Sequence, residues 1–149
     1  MSIRIRPATE QDIPAIHGLV AELADYINMR DQFTATQSAY VKDLEDGFFE
    51  AFVAEDTETA TVVGMALYNF AYSTWRGRSI YLEDFVLTPA YRRQGIGTQL
   101  WEAIKQRGRE RGCVMLRWQI AEDNTEAVKF YRAQGAIIDP AWVNGKLWL

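Results

Sequence analysis

The sequence predicts an α/β fold in which helices flank a mixed central β-sheet. Several segments, among them Phe49–Glu55 and Val62–Ser73, have the length and apolar content of strands. Other segments repeat apolar residues every three to four positions, as amphipathic helices do. The two kinds of segment alternate in the second half of the chain. This order is typical of strands and helices that form a single α/β sandwich.

The N-terminal part begins with a short strand, since isoleucines alternate with arginines in residues 3–6 and Pro7 ends the pattern. A helix is expected from about Asp12, because Thr9 and Asp12 resemble a capping box. The apolar stripe of this helix consists of Ile13, Ile16, Val20 and Leu23. His17 lies outside the stripe and is predicted to be a surface residue.

The remaining elements follow from the same patterns and from glycines at element ends. We expect a weaker helix at Gln37–Leu44, strands at Phe49–Glu55 and Val62–Ser73, a central strand at Ser79–Leu87, a helix from Gly97 to Gly112, a strand at Val114–Ala121, a helix at Asn124–Gln134, a strand that starts at Ile137–Ile138, and a short terminal strand at Lys146–Leu149.

Composition limits the functional classes. The 149 residues fit one domain spanning 1–149, and 48% apolar content is that of a globular protein. No apolar run reaches the roughly 20 residues of a membrane span. Cys113 and His17 are each the only residue of their type, so no internal disulfide and no four-ligand Cys/His metal site is expected. A cytoplasmic protein without a metal is therefore predicted.

The charge distribution argues against nucleic acid as a partner. Residues 91–111 contain six basic and two acidic residues, a net charge of +4. Since the whole chain carries −4, the remainder carries −8. An acidic chain with one basic segment suits a phosphorylated cofactor at that segment and a cationic substrate elsewhere.

The segment Tyr81–Leu100 combines a strand, a basic glycine loop and the start of a helix, which is an arrangement suited to anion binding. A P-loop is excluded, because Thr98 and Gln99 follow the last glycine. A Rossmann motif is excluded as well, since Leu100 stands where a third glycine or alanine is required.

What remains is Arg-x-x-Gly-x-Gly at Arg92, Gly95 and Gly97. This motif resembles the acetyl-CoA loop of the GNAT superfamily of N-acetyltransferases. The resemblance implies that backbone amides between Arg93 and Thr98 bind the CoA pyrophosphate. The alternative is a strand-to-helix turn with solvated arginines.

A second motif, Asn124-x-x-Ala-x-x-Phe130-Tyr131-x-x-x-Gly135, resembles the last helix of the same superfamily. By this resemblance Asn124 faces the cofactor, and the Tyr131 hydroxyl protonates the CoA thiolate as it leaves. A phenol suits that task because it is protonated at neutral pH. The alternative is that Phe130 and Tyr131 are both core aromatic residues.

The third feature is the acidic pair Glu83-Asp84 inside an apolar strand. Consecutive strand residues point to opposite faces, so at least one carboxylate must face packed structure. A buried carboxylate is costly unless it is paired or functional. We expect Asp84 to cap or pair structurally and Glu83 to act in the chemistry. Cys113 is expected to be a small buried residue and not a nucleophile.

The segment Y-S-T-W-x-G-R-x-x-Y-L-E-D-F, residues 72–85, resembles the spermidine/spermine N1-acetyltransferase branch, which includes thialysine acetyltransferases. The resemblance implies a homodimer and Glu83 as the base, through water. The residues it implies at the cofactor are Phe85, Val86, Leu87, Arg92, Arg93, Gln94, Gly95, Ile96, Gly97, Thr98 and Asn124. Those implied at the amine are Tyr26, Trp75, Glu83, Asp84, Trp118 and Gln119.

The chain departs from this branch after Tyr26, where the polyamine enzymes carry acidic residues. Ile27 and Arg30 replace two of them. The sequence therefore predicts an acetyl-CoA-dependent N-acetyltransferase of a small cationic amine or amino acid, which attacks the thioester directly. Three alternatives stay open: a polyamine acetyltransferase, a non-catalytic acyl-CoA-binding module, and a protein lysine or N-terminal acetyltransferase.

Overall fold

The computed structural model describes residues 1–149, which divide into two compact units, Met1–Trp118 and Gln119–Leu149. The first unit contains all strands: β1 (Ile3–Pro7), β2 (Glu50–Asp56), β3 (Thr61–Ser73), β4 (Gly77–Leu87) and β5 (Met115–Trp118). It also contains helices α1 (Ile13–Tyr26), α2 (Gln37–Glu45) and α3 (Ile96–Glu110), whereas α4 (Thr125–Ala133) lies in the second unit. None of the helices has the length and apolar character needed to cross a bilayer.

The five strands form one sheet in the order β1-β2-β3-β4-β5. Strands β1 to β4 pair antiparallel, and β5 pairs parallel to β4 across the connection that contains α3. The predicted mixed sheet is therefore confirmed. The position of β4 differs from the prediction, because it is the second strand from the edge and β3 is central. The crossover places only one further strand, the short β5, beyond β4.

Helices α1 and α2 cover one face of the sheet. The buried cluster between them and the strands consists of Ile13, Ile16, Leu19, Ala51, Val53, Met65 and Leu67. Helix α1 begins at its predicted place, where the backbone N–H of Thr9 donates to Asp12 at 2.8 Å and Arg6 donates twice to the same carboxylate, at 2.7 and 2.9 Å. These bonds hold the pKa of Asp12 below its usual range.

Helix α3 covers the opposite face, with Ile96, Leu100 and Ile104 fully or almost fully buried. Near its end the backbone of Gly108 comes so close to Ile80 that a Cβ atom would lie 3.2 Å from that side chain. The helix ends as predicted, before Gly112, which has a left-handed φ of +71°. The buried isoleucines and leucine at helical spacing thus pack α3 on the sheet.

The basic side chains of α3 serve structure at its C-terminal end. Arg107 donates two hydrogen bonds of 2.8 Å to the Glu50 carboxylate, which also accepts one from the buried Tyr68 hydroxyl at 3.0 Å. Arg111 stacks on Phe70, with its guanidinium carbon 4.2 Å from the ring centre. The basic segment 91–111 therefore has two parts. Arg92 and Arg93 lie in the glycine loop, whereas Arg107 and Arg111 make contacts within the fold.

His17 is not the surface residue that the sequence predicted. It is partly buried, its ring lies 4.6 Å from that of Phe33 and 5.2 Å from that of Tyr40, and Nε2 is 2.8 Å from the carbonyl oxygen of Ala35. His17 lies outside the apolar stripe of α1, but the segment before α2 folds back over its ring. That contact joins residues distant in sequence.

In the second unit α4 has the predicted bounds to within one residue, and Gly135 follows it with a left-handed φ of +85°. The strands predicted at Ile137–Ile138 and Lys146–Leu149 are not formed. Likewise β5 ends at Trp118 and not at Ala121. Strands need neighbours to bond their backbone groups, and the described chain provides none to these segments.

Candidate active site

The sheet opens at the C-terminal half of β4. Pairing between β4 and β5 runs from Ser79 opposite Met115 to Leu82 opposite Trp118 and then stops, whereas β4 continues to Leu87. On the β5 side, the backbone groups of Glu83–Leu87 therefore lack a strand partner. Such an unpaired edge can bond an extended ligand through main-chain groups. The predicted pantetheine contacts, Phe85 to Leu87, lie on this edge.

The glycine loop follows directly. After a 3₁₀ turn at Pro89–Tyr91, Arg93 and Gly95 both adopt left-handed conformations, with φ of +63° and +80°, before α3 begins at Ile96. Left-handed residues between right-handed or extended ones turn successive N–H groups to one side, forming a concave anion site. The N-terminus of α3 adds partial positive charge there. These residues fit the pyrophosphate of CoA.

The loop is tied to the preceding strand. Arg92 Nε donates to the carbonyl oxygen of Leu87 at 3.1 Å, and Gln94 Nε2 donates to that of Ala90 at 3.3 Å. The residues from Arg92 to Gly95 are exposed, so their backbone groups are accessible to a ligand. The strand edge and the anion site are thus held in one continuous arrangement.

A β-bulge separates the two carboxylates. Leu67 of β3 pairs with Asp84, but its neighbour Tyr68 pairs with Leu82, so Glu83 is an extra residue without a partner. Antiparallel partners point to the same face, which directs Asp84 to the α1–α2 side together with Leu67. Glu83 is exposed, whereas Asp84 is partly buried. Bulges of this kind often re-aim a side chain beside an active site.

The electrostatics distinguish the pair. Burial, followed by repulsion from the Glu83 charge, raises the pKa of Asp84 to about 6. No cation of the chain pairs with it. An isolated carboxylate in this environment is destabilising until a positive charge approaches it. The prediction that Asp84 caps or pairs within the chain is therefore wrong.

An aromatic group supports the unpaired edge from the α3 side. The Trp101 ring contacts Phe85 and Trp118 edge to face, with centroid distances of 6.1 and 5.3 Å. Trp118 is therefore on the face opposite Asp84. The resemblance implies Trp118 at the amine and gives no role to Trp101. Trp101 follows the buried Leu100 of α3 by one residue, and this position in the sequence indicates a partly buried side chain.

The second unit contains three further predicted site residues: Asn124 at the cofactor, Tyr131 as the acid and Gln119 at the amine. Asn124 caps α4, where its side-chain oxygen accepts a hydrogen bond of 3.1 Å from the backbone N–H of Ala127. Tyr131 is 7% exposed, and burial raises its pKa to about 12. The phenol is therefore protonated at neutral pH. Gln119 donates a hydrogen bond to Asn144.

Two predicted amine contacts are exposed. Tyr26, at the end of α1, is 85% exposed, and Trp75 in the β3–β4 turn is 83% exposed. From Gly77 to Asp84 the strand extends about 23 Å, at roughly 3.3 Å per residue. Within one chain, Trp75 is consequently remote from the acidic pair, and its role stays a prediction. Arg30, which follows Tyr26, forms a 2.6 Å ion pair with Asp25.

Comparison with known proteins identifies the chain by its family. The model of the acetyltransferase (GNAT) family matches residues 16–136. The chain belongs to the GNAT family. It is 38% identical over 142 residues to the thialysine N-epsilon-acetyltransferase of Bos taurus, covering 90% of this chain and 84% of that protein. The chain is an acetyl-CoA-dependent acyltransferase whose acceptor is an amine.

One further relative and one solved structure of similar fold extend the comparison. The spermidine/spermine N(1)-acetyltransferase-like protein 1 of Homo sapiens is 30% identical over 141 residues, which are 90% of this chain and 20% of that protein. The solved aminoglycoside N-acetyltransferase AAC(6')-Iy in complex with CoA superposes with a TM-score of 0.77 at 19% identity, covering 98% of this chain and 95% of that one. The predicted GNAT fold and branch are confirmed.

Proposed function

We propose that this GNAT enzyme acetylates the primary amine of a small, lysine-like amino acid. The observation that carries the proposal is the carboxylate of Asp84, which is partly buried, has a raised pKa and pairs with no cation of the chain. A substrate ammonium group would supply the missing positive charge. The exposed Glu83 beside it gives the proton a route to solvent.

The reaction then proceeds by direct attack within a ternary complex. Asp84 holds the ammonium group, and Glu83 accepts one of its protons through water. The neutral nitrogen forms the C–N bond to the thioester carbonyl carbon while the C–S bond breaks. Tyr131 donates its phenolic proton to the departing thiolate. The acylated nitrogen then carries two protons, of which it keeps one, and the excess proton returns to the phenolate through solvent. Atoms and charges therefore balance without an acyl-enzyme.

The cofactor assignment rests on the fit of the loop. The left-handed residues Arg93 and Gly95 and the start of α3 would bind the pyrophosphate, together with Arg92, Gln94, Ile96, Gly97 and Thr98. The unpaired backbone of Phe85, Val86 and Leu87 would bond the pantetheine. Asn124 is proposed to complete the cofactor site, and Tyr26, Trp75, Trp118 and Gln119 to contribute to the amine site.

The preference for an amino acid over a polyamine rests on residues after α1. A long polycation needs acidic contacts along its length, and Ile27 and Arg30 remove two of them. The ion pair between Arg30 and Asp25 neutralises a further carboxylate in the same segment. The guanidinium group could also receive the carboxylate of an amino acid, as charge-assisted pairs do. The thialysine acetyltransferase of Bos taurus supports this choice.

Polyamine acetylation is the second candidate, because the human spermidine/spermine acetyltransferase-like protein is also similar. The decisive experiment compares kcat/KM for thialysine and spermidine with acetyl-CoA. Each lost charged hydrogen bond weakens polyamine binding by about 1.5–3 kcal/mol, so thialysine should be preferred by about tenfold or more. Spermidine preferred tenfold would establish the polyamine function instead.

Two other functions make different predictions in the same assay. A non-catalytic acyl-CoA-binding module would bind CoA but consume no acetyl-CoA with any amine. A protein lysine or N-terminal acetyltransferase would use peptides better than free amino acids. We further infer a cytoplasmic location, since a chain with one cysteine needs no oxidising compartment.

A further inference from the structure

Helix α2 places a tyrosine on the same face of the sheet as Asp84. Asp84 pairs with Leu67, and Leu67 belongs to the buried cluster that α1 covers. Tyr40 of α2 packs against that same cluster. Because partners in an antiparallel pair point to one face, the side chains of Tyr40 and Asp84 occupy the same layer of the molecule.

The negative charges of Asp84 and Glu83 affect the ionisation of the Tyr40 hydroxyl group. The pKa of Tyr40 is raised, first by burial and then by the negative charges of Asp84 and Glu83. Its phenol is therefore neutral throughout the physiological range. The hydroxyl group forms no hydrogen bond within the chain, so its oxygen lone pairs and its proton are available to a ligand.

Packing fixes the orientation of the Tyr40 ring. It contacts His17 and Phe49 edge to face, with centroid distances of 5.2 and 6.0 Å. His17 is itself fixed by its 2.8 Å contact with the carbonyl oxygen of Ala35 and by the Phe33 ring 4.6 Å away. A ring held by several aromatic neighbours loses little rotamer freedom when a ligand binds, so the hydroxyl group is preorganised.

We propose that Tyr40 is a specificity-determining residue, whose hydroxyl oxygen accepts a hydrogen bond from the same ammonium group that Asp84 binds. This inference rests on the function proposed above. A primary ammonium group has three N–H donors. Asp84 receives one, Tyr40 receives a second, and the third remains for water and Glu83. An N-methylated amine has one donor fewer, so the site selects primary amines. His17 is a positioning residue in this arrangement.

The test is Tyr40→Phe, which removes the hydroxyl group and keeps the ring. The KM for the amine should rise about tenfold, as expected for one hydrogen bond to a charged group. The KM for acetyl-CoA and the melting temperature should stay near those of the wild type. Tyr72→Phe, at an exposed tyrosine of β3, is the matched control and should change none of these values.

A second measurement separates recognition from packing. The wild type should prefer thialysine over its Nε-methyl derivative, and Tyr40→Phe should lose roughly tenfold of that preference. An unchanged amine KM, or an unchanged preference, would overturn the inference. If the wild type acetylates no amine, the proposed function fails. The inference is then tested by calorimetry with thialysine alone. Equal thialysine affinity of the wild type and Tyr40→Phe, or no binding by either, would overturn the inference.

Discussion

At the scale of single residues, the acidic pair of β4 shows how a bulge assigns different roles to adjacent carboxylates. The extra residue at Glu83 leaves that side chain in solvent and turns Asp84 toward the packed α1–α2 layer. Without the bulge, strict alternation would place Asp84 on the α3 side with Leu82. Burial and the like charge of Glu83 then make ionised Asp84 unfavourable until a cationic substrate binds.

The first residue prediction concerns Asp84→Asn. The pKa of Asp84 lies near 6 in the folded state, above the usual 3.8 of the unfolded chain, so the folded state binds more protons between these values. Stability contributed by this group therefore falls as the pH rises from about 4 to about 6. Removing the charge should stabilise the protein at about pH 8 by about 3 kcal/mol while lowering turnover.

The measurement is the melting temperature at two pH values. The advantage of Asp84→Asn over the wild type should shrink strongly between about pH 8 and about pH 4.5. Asp123→Asn, at an exposed position, serves as the control and should show no such trend. An advantage of equal size at both pH values would mean that Asp84 has an ordinary carboxyl pKa in the folded protein.

The second residue prediction concerns Tyr131→Phe, which removes one hydroxyl group and little volume. Since burial raises the pKa of Tyr131 to about 12, its phenol is available as an acid at neutral pH. Turnover should fall by about 10²–10⁴-fold, the usual contribution of general acid catalysis, with CoA affinity nearly unchanged. If kcat stays within about threefold of the wild type, which is far below that range, Tyr131 acts only in packing.

At the scale of secondary structure, the connection between β4 and α3 acts as one anion-binding element. Gly95 has a left-handed conformation, and a Cβ atom added there would meet nothing within 4 Å. Glycine is therefore required for backbone geometry and not for space in the ligand-free protein. A side chain at Gly95 would change the direction of the neighbouring N–H groups.

The third prediction concerns Gly95→Val and its matched control Gly47→Val. Both glycines have left-handed φ values, +80° and +75°, and both have open surroundings, so the strain should be similar, at least about 1–2 kcal/mol. Calorimetry should show CoA affinity at least about tenfold weaker for Gly95→Val and unchanged for Gly47→Val. Gly97→Trp should block the pyrophosphate directly. Wild-type CoA affinity in all three variants would refute the loop assignment.

At the scale of the whole molecule, the charges are segregated in a way that suits the two substrates. The arginines of the glycine loop are proposed to bind the phosphorylated substrate, whereas Arg107 pairs with Glu50 and Arg111 stacks on Phe70 at the other end of α3. The remainder of the chain outside 91–111 carries −8, which would favour the approach of a cationic amine. We keep the single domain of residues 1–149 as a prediction.

The fourth prediction is a homodimer that buries the C-terminal aromatic residues. Trp142 and Trp148 are 73% and 81% exposed, a high exposure for large apolar side chains, and nearby apolar residues of the segment are exposed too. Light scattering at micromolar concentration should give twice the mass of one chain. The double variant Trp142→Asp, Trp148→Asp should give monomers. A monomeric wild type would contradict this prediction.

Features that depend only on neighbouring residues were predictable from the amino-acid sequence. Helix α1 begins after its Thr9–Asp12 signal, α3 ends before Gly112, and α4 lies between Asn124 and Gly135, because caps and left-handed glycines act within one turn of the chain. The glycine loop was predictable for the same reason. Its conformation depends on a few consecutive residues, and they also carry the family resemblance.

The partial burial of Asp84 and the exposure of Glu83 depend on the pairing of strands and could not be predicted from the sequence. The bulge at Glu83 arises from the pairing of β3 with β4, and a periodicity within one strand cannot reveal the register between two. Likewise, Tyr40 shares a face of the sheet with Asp84 because α2 packs over α1, where Tyr40 contacts His17, a residue far from it in sequence. The segments predicted as terminal strands stay irregular, since a strand exists only with a partner to bond it.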